Sequence, residues 1–126
     1  MPEAVVAITG ASGAQYGVRL VDELLDAGWS LSLIVTSAGA INLDLECGIA
    51  PEALGERDGV TLEDNDNLAA RAASGSARFD AYVVCPASGT TIGKIAAGIS
   101  DNLATRSALV ALKERRKLIL VPREAP

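Results

Sequence analysis

The chain of 126 residues contains no histidine, and its aromatic residues are limited to two Tyr, one Trp and one Phe. The absence of histidine excludes serine–histidine catalytic triads, histidine–metal sites and acid–base catalysis by imidazole. The two cysteines, Cys47 and Cys85, are far apart and lack the spacing of a metal site. We therefore expect two reduced thiols in a cytosolic protein, where disulfides are rare.

The sequence also lacks a basic excess and a long apolar run. Its 11 Lys and Arg against 16 Asp and Glu give a net charge of −5, which disfavours nucleic-acid binding because neutralising phosphates needs a basic stripe. No apolar run approaches the ~18 residues of a membrane-spanning helix, and the start Met1-Pro2-Glu3 does not resemble a signal peptide. We predict a cytoplasmic protein with no membrane span, no nucleic-acid partner and no metal.

Aliphatic runs alternate with amphipathic segments along the chain, which is typical of a parallel sheet covered by helices on both faces. The sequence therefore predicts one α/β domain with a doubly wound parallel sheet, a flavodoxin/Rossmann-like three-layer sandwich. The predicted strands cover residues 4–8, 30–36, 80–85 and 117–121. The predicted helices cover 14–26, 38–45, 93–99 and 103–116, the last capped by Asp101 or Asn102, and 52–76 is predicted as a loop with a short strand at 60–62.

Ligands of such sheets bind beyond the carboxyl ends of the strands. Small, hydroxylated or charged residues follow each predicted strand, so we expect four segments to meet at one edge of the sheet. They are 9–17, 36–37, 86–91 and 122–124.

A glycine-rich turn, Gly10-Ala-Ser-Gly-Ala-Gln-Tyr-Gly17, joins the first strand to the first helix. Its glycines allow a ligand to approach the backbone, the helix N-terminus attracts phosphate, and Ser12 adds a hydroxyl donor. The spacing G-x-x-G-x-x-x-G differs from the dinucleotide-binding G-x-G-x-x-G. Either a ligand-binding turn or a tight turn without a ligand accounts for it.

Hydroxyl groups follow two further strands. Thr36 and Ser37 occupy the position where dinucleotide-binding proteins usually carry Asp or Glu. Either a helix cap or a ligand contact explains these two hydroxyl groups. The segment Cys85-Pro-Ala-Ser-Gly-Thr-Thr91 repeats this chemistry, since a strand ends near Pro and a small polar turn opens a helix. Two such segments side by side indicate a ligand with two polar parts.

Basic residues cluster toward the C-terminal end of the sequence. Arg106 and Lys113 are seven residues apart and share a helix face, which suits either an anion or solvent. Arg116 is expected to be solvated at a helix end, where cations complement the dipole. Arg123 and Glu124 directly follow the last strand, and this position indicates a place in the ligand crevice.

These motifs together resemble the flavin prenyltransferase (UbiX-like) family, whose members were formerly described as aromatic-acid or polyprenyl-hydroxybenzoate decarboxylases. The resemblance covers essentially the whole chain in order, and its last motif is highly specific. The motifs are Thr9–Gly17, Ala73–Ser76, Cys85–Ser88 and Leu112–Pro126.

The resemblance implies a flavodoxin-like domain that binds FMN and forms a homo-oligomer as large as a dodecamer. It implies transfer of a dimethylallyl group from dimethylallyl phosphate to N5 and C6 of reduced FMN, without a metal. The product would be prenylated FMN for UbiD-type decarboxylases. The family pattern continues with a strand and a helix, which carry a Tyr and a basic residue of the prenyl-phosphate site. We therefore expect residues 1–126 to form a single FMN-binding domain that ends before them.

The resemblance also implies roles for individual residues. Lys113 and Arg123 would stabilise the departing phosphate, and Glu124, with Ser12, would move the proton released from flavin C6. Glu46, an exposed carboxylate by default, matches a pocket carboxylate and joins this catalytic set. The residues that would contact FMN are Gly10, Ala11, Ser12, Thr36, Ser88, Gly89, Thr90, Thr91 and Arg106.

Other functions stay open. An FMN-binding carrier or an inactive assembly subunit would bind flavin without turnover. An NAD(P)-dependent short-chain oxidoreductase shares the Thr-Gly-Ala-Ser-Gly turn but needs a Tyr-x-x-x-Lys pair, and neither Tyr16 nor Tyr82 has Lys four residues on. Cysteine-decarboxylase flavoproteins share the fold and FMN but rely on a histidine, which this chain lacks.

Overall fold

A single five-stranded parallel sheet, in the order β3-β2-β1-β4-β5, forms the centre of the computed structural model, which describes residues 1–123. The strands are β1 (Glu3–Ile8), β2 (Ser30–Val35), β3 (Val60–Glu63), β4 (Ala81–Ala87) and β5 (Leu118–Pro122). The helices are α1 (Ala14–Asp26), α2 (Ser37–Asn42), α3 (Pro51–Gly55), α4 (Gly89–Ala97) and α5 (Leu103–Lys113), with a π-helical segment at Leu43–Cys47 and a 3₁₀ turn at Arg71–Ala73. Within this part of the chain, no helix has the length and apolar character needed to cross a membrane.

The side chains of β1 alternate between two apolar cores, because successive residues of a strand point to opposite faces of the sheet. Val6 and Ile8 belong to a buried cluster with Val21 of α1. Val5 belongs to a second buried cluster with Leu103 of α5. Helices therefore cover both faces, and the predicted doubly wound α/β sandwich is confirmed.

Two element boundaries near β4 differ from the sequence-based predictions. Pro86 was expected to end the strand, but β4 continues to Ala87 because the Pro86 carbonyl oxygen still accepts hydrogen bonds from Thr9. Helix α4 begins at Gly89 rather than at 93, because the Ser88 side chain caps it by accepting a hydrogen bond from the Thr91 N–H at 3.2 Å.

The segment predicted as a loop contains more structure than expected. Pro51 opens α3, a position in a helix where the missing N–H of proline costs nothing. The short strand predicted at 60–62 is present as β3. The helix predicted at 103–116 ends earlier, at Lys113, and Arg115 then adopts a positive φ of 54°.

The strands β1 and β4 are neighbours, and the strand order reverses between them. This is the switch point at which a crevice opens in a doubly wound sheet. Thr9, which is fully buried, joins the two strands here. Its hydroxyl group donates to the Pro86 carbonyl oxygen at 2.6 Å and accepts from the Ser88 N–H at 2.9 Å.

Helix α2 lies directly against the end of β1. A Cβ atom at Gly10 would lie 2.4 Å from the Ala38 Cβ, and one at Gly39 would lie 2.3 Å from the Ile8 carbonyl oxygen. Only glycine fits at either position without displacing the neighbouring atoms. The first glycine of the turn thus has a packing role as well as lining the crevice.

Replacing Thr9 by Val is expected to destabilise the protein by about 1–3 kcal/mol, because the part-buried Ser88 N–H loses its acceptor and the buried Pro86 carbonyl oxygen loses a donor. The matched control is Thr61→Val on the exposed side of β3, which we expect to stay within about 0.5 kcal/mol of wild type. Urea unfolding followed by circular dichroism measures both variants. Equal stabilities of the two variants would contradict the role assigned to the Thr9 hydroxyl group.

Candidate functional site

A cavity of about 480 Å³ opens at the carboxyl ends of β1, β2 and β4. Three of the four segments that the sequence predicted to converge contribute to its wall, since Gly10 follows β1, Thr36 follows β2 and Ser88 follows β4. We call it the switch-point cavity. Its lining residues are Gly10, Thr36, Ser37, Ala38, Asn65, Asp66, Ser88, Thr90, Thr91, Lys94, Asp101 and Asn102.

The N-terminus of α4 forms one wall of this cavity. The Ser88 hydroxyl group donates to Thr91 Oγ1 at 2.9 Å and accepts from the Thr91 N–H, so both side chains are held in place. Thr9 fixes the Ser88 backbone from the other side. The positive end of the helix dipole and a set of oriented hydroxyl groups make this wall suited to an anionic ligand such as a phosphate.

Thr36 combines the two roles that its sequence position left open. Its Oγ1 accepts a hydrogen bond from the Gly39 N–H at 3.0 Å, so it caps α2. The same residue, with Ser37, lines the switch-point cavity. The cap orients the threonine side chain at the cavity wall.

Sequence reasoning missed the polar residues on the far side of the cavity. Asn65 joins the long loop to α5: its carbonyl oxygen accepts from the Leu103 N–H at 2.8 Å, and its side chain accepts from the Ala104 N–H at 3.0 Å. Asn102 caps α5, as predicted, by accepting from the Thr105 N–H at 2.9 Å. Asn65 and Asp66 also follow β3, whose parallel pairing with β2 brings them to the same edge of the sheet. The short strand predicted at 60–62 was the signal that could have located them.

Lys94 is the one cation among the residues named as lining the cavity. Its ammonium group pairs with both carboxylate oxygens of Asp101, at 3.0 and 3.2 Å. Asp66 adds a second carboxylate to the lining. The lining side chains therefore supply no net positive charge, and the attraction for an anion comes from the helix N-terminus and the hydroxyl groups.

Glu46 occupies the N-terminus of α1. One of its carboxylate oxygens accepts hydrogen bonds from the Gly13 N–H at 3.0 Å and the Ala14 N–H at 2.8 Å. These hydrogen bonds hold the pKa of Glu46 below its ordinary value. An internal carboxylate therefore already binds the Gly13 and Ala14 N–H groups. The contacts expected between FMN and Gly10, Ala11 and Ser12 of the same turn stay a prediction.

The π-helical segment explains why Glu46 reaches α1. A π-helical turn contains an extra residue and so changes the direction of the side chains that follow. The segment ends at Gly48, whose positive φ of 64° reverses the chain. Next to it, the Asn42 side chain donates to the Ala11 carbonyl oxygen at 3.1 Å. The glycine-rich turn is thus fastened to the α2 region at two points.

Arg123 lies over the same glycine-rich turn. Its guanidinium group is 4.8 Å from the centroid of the Tyr16 ring, and its Nε donates to the Ser12 carbonyl oxygen at 3.4 Å. Arg123, Tyr16 and Cys85 are among the residues that line a groove of about 480 Å³, which is mostly apolar. Glu124, the other charged residue predicted here, lies outside the described residues.

Arg106 and Lys113 share a helix face, as their spacing predicted, and line a smaller cavity of about 150 Å³. They are not among the residues that line the switch-point cavity with Ser88. Arg106 Nε is buried and has no hydrogen-bond partner within the part of the chain that the structure describes. This nitrogen offers unused hydrogen-bonding capacity to an anion.

Arg116 is not the solvated residue that the sequence predicted. Its guanidinium group donates to the Gly75 carbonyl oxygen at 2.6 Å, to the Tyr82 hydroxyl group at 2.9 Å and to the Ala77 carbonyl oxygen. The left-handed conformation of Arg115 turns the chain so that Arg116 faces the loop. It thereby fixes the Ala73–Ser76 motif to β4.

Comparisons with known proteins agree with this architecture. The sequence profile of the Flavoprotein family matches residues 2–125. A flavin prenyltransferase UbiX of Thermoplasma acidophilum is 46% identical over 122 residues, which is 97% of this chain and 66% of the relative. The chain thus spans just under two thirds of that relative's length.

Two solved structures are also similar. The crystal structure of AnUbiX (PadA1) in complex with FMN and dimethylallyl pyrophosphate superposes with a TM-score of 0.94 at 34% identity, covering 99% of this chain and 66% of that one. A dodecameric FMN-dependent UbiX-like decarboxylase from Escherichia coli O157:H7 gives a TM-score of 0.93 at 36% identity, covering 98% of this chain and 68% of that one.

The lowered pKa of Glu46 predicts a pH dependence of stability. A carboxylate whose folded-state pKa is depressed stabilises the fold above its unfolded-state pKa, and this contribution is lost as the pH falls through the folded-state value. The unfolded reference is 4.5, so the loss begins as the pH drops below about this value. Glu46→Gln is expected to be less stable than wild type at pH 7 and to lose less stability on acidification.

Thermal unfolding between pH 7 and pH 3 measures this difference. Asp44→Asn, in the same π-helical segment, is the matched control and should follow the wild-type profile. A Glu46→Gln profile parallel to that of wild type would show that the carboxylate charge does not stabilise the start of α1.

Proposed function

We propose that this chain binds FMN and prenylates the flavin, because the chain belongs to the flavoprotein family and within it to the UbiX-like flavin prenyltransferases. The proposed donor is dimethylallyl phosphate, and the product is prenylated FMN. We propose residues 1–126 as a single FMN-binding domain. The chain spans about two thirds of the length of these relatives, so the activity of the relatives is carried over to it only as a proposal.

The switch-point cavity is the observation that carries the proposal. Its volume of about 480 Å³ lies in the range of ligand sites, about 300–1,000 Å³. It stands at the reversal of strand order, where nucleotide-type ligands bind in doubly wound sheets. The α4 N-terminus and the hydroxyl groups of Ser88 and Thr91 suit a phosphate. The residues present therefore fit FMN.

The proposed FMN contacts follow from this fit. Residues of the cavity wall would hold the cofactor through hydroxyl groups and backbone: Gly10, Thr36, Ser88, Thr90 and Thr91. Gly89, the first residue of α4, would add a backbone contact. Ala11 and Ser12 of the adjoining turn would contribute backbone and hydroxyl contacts. Arg106 would supply a cation that forms no ion pair within residues 1–123, unlike Lys94 of the cavity, and its unpartnered Nε supports this role.

The reduced flavin supplies the nucleophilic N5 and C6 atoms that receive the dimethylallyl group. Lys113 and Arg123 would hold the phosphate of the donor and stabilise its charge as it departs. Glu124, with Ser12, would accept the proton released at C6. Glu46 would act as a fixed negative charge at the start of α1, because its lowered pKa keeps it ionised at neutral pH.

A homo-oligomer is part of the proposal. Arg106 and Lys113 line a different cavity from Ser88 in the single chain. A neighbouring copy would allow both sets of residues to face one ligand. The similar E. coli protein is described as dodecameric, which supports an assembly of this size. A UbiD-type decarboxylase is the proposed acceptor of the prenylated cofactor.

An NAD(P)-dependent oxidoreductase is a weaker alternative. Thr36 occupies the end of β2, where an NAD-binding protein carries a carboxylate for the ribose. A flavin carrier without turnover would use the same cavity. An experiment is needed to distinguish this function from flavin prenylation.

The deciding experiment is a mass spectrum of the bound flavin after anaerobic incubation with reduced FMN and dimethylallyl phosphate. We expect a flavin heavier by one dimethylallyl unit. Recovery of unmodified FMN would overturn the transferase function in favour of a carrier, and recovery of no flavin would overturn FMN binding as well.

Ser88→Ala tests the cofactor site itself. It removes the cap of α4 and the hydrogen bond that orients the Thr91 hydroxyl group, so we expect FMN affinity to fall about ten-fold or more. Fluorescence titration of FMN measures the affinity, and Thr61→Val serves as the control that leaves the cavity intact. An unchanged dissociation constant for Ser88→Ala would place the flavin elsewhere.

A further inference from the structure

We infer that Tyr16 is a positioning residue that holds Arg123 in the orientation needed to bind the donor phosphate. This inference rests on the proposed function for the phosphate contact of Arg123. Neither the glycine spacing nor the charge pattern of the sequence assigns a role to Tyr16. The geometry of the pair carries the argument.

The backbone of Tyr16 is held in the first turn of α1, where its N–H donates to the Gly13 carbonyl oxygen at 2.9 Å. The ring is 48% exposed, so one face is available to another side chain. Arg123 approaches this face to 4.8 Å from the ring centroid. The distance lies within the ~6 Å of a cation–π interaction.

Atoms of the glycine-rich turn also contact the Arg123 side chain. Arg123 Nε donates to the Ser12 carbonyl oxygen at 3.4 Å. A Cβ atom at Gly13 would lie 2.9 Å from the same Nε, so a side chain at this position would displace the guanidinium group. The Tyr16 ring provides the remaining contact. Arg123 is thus held by the glycine-rich turn and by the first turn of α1.

The way in which Arg123 is held leaves its donors usable. The ion pairs formed within residues 1–123 do not include Arg123. Stacking on an aromatic ring engages the face of the planar guanidinium group, whereas phosphate is bound by the N–H groups at its edge. Tyr16 therefore restrains the arginine without competing with the phosphate, which lowers the entropy lost on binding.

The test compares Tyr16→Leu, which removes the aromatic face, with Tyr16→Phe, which keeps it. The first readout is the Nε–Hε resonance of Arg123 in protein labelled with ¹⁵N-arginine, assigned by its loss in Arg123→Lys. In wild type the ring should shift this resonance upfield. Tyr16→Leu should abolish the shift and Tyr16→Phe should restore it.

The second readout is the dissociation constant of dimethylallyl phosphate, taken from titration of the same resonance. We expect Tyr16→Leu to weaken binding about two- to five-fold, the range set by an exposed cation–π interaction, and Tyr16→Phe to rescue it. FMN affinity should not change in either variant. Arg19→Gln, in the same groove, is the control for a groove change that leaves Arg123 in place.

The outcomes separate this inference from the proposed function. If FMN is not prenylated but Tyr16→Leu weakens phosphate binding at Arg123, the transferase proposal fails and the positioning role stands. If Tyr16→Leu leaves both the resonance and the dissociation constant unchanged, or if wild-type Arg123 does not respond to dimethylallyl phosphate, the positioning role is overturned.

Discussion

The buried hydroxyl group of Thr9 holds together the two strands between which the sheet reverses its order. Because the Thr9 hydroxyl group hydrogen-bonds to Pro86 near the end of β4 and to the backbone N–H of Ser88, it fixes where α4 begins. The α4 N-terminus in turn sets the polar wall of the switch-point cavity. The location of the candidate site therefore depends on one side chain that does not line it.

The N-termini of α1 and α4 both lie near this edge of the sheet, but their N–H groups have different environments. At α1, the Glu46 carboxylate accepts hydrogen bonds from the backbone N–H groups. At α4, the first turn and Thr90 line the cavity. A negative charge at α1 also sits close enough to Arg123 for their charges to interact. The glycine-rich turn thus contacts both the Glu46 carboxylate and Arg123, the residue proposed to bind the phosphate of the donor. The N–H groups at the start of α1 that Glu46 binds are thus already occupied within the protein.

The fold could be predicted from the sequence because the central strands are rich in aliphatic residues, with few polar residues such as Ser32, and such segments are typical of a buried parallel sheet. Convergence of the strand ends followed from the same rule. The start of α4 was misjudged because Gly89 and the following threonines have low helix propensity, which the Ser88 cap offsets. The hydrogen bonds of Asn65 and Arg116 could not be predicted, since their partners lie about forty residues away and no local pattern encodes such contacts. The place of Asn65 just beyond β3 does follow from the strand-end rule. The roles of single residues came from family resemblance rather than from spacing.

The close packing of α2 on β1 restricts how the cavity can change during evolution. Gly10 and Ala38 share a space that holds a single methyl group, and both residues line the cavity. A side chain gained at one position requires a side chain lost at the other, so the effects of mutations at these two sites are coupled rather than additive. The floor of the crevice can thus alter its shape only through paired substitutions, and the route between two such shapes passes through a less stable intermediate sequence.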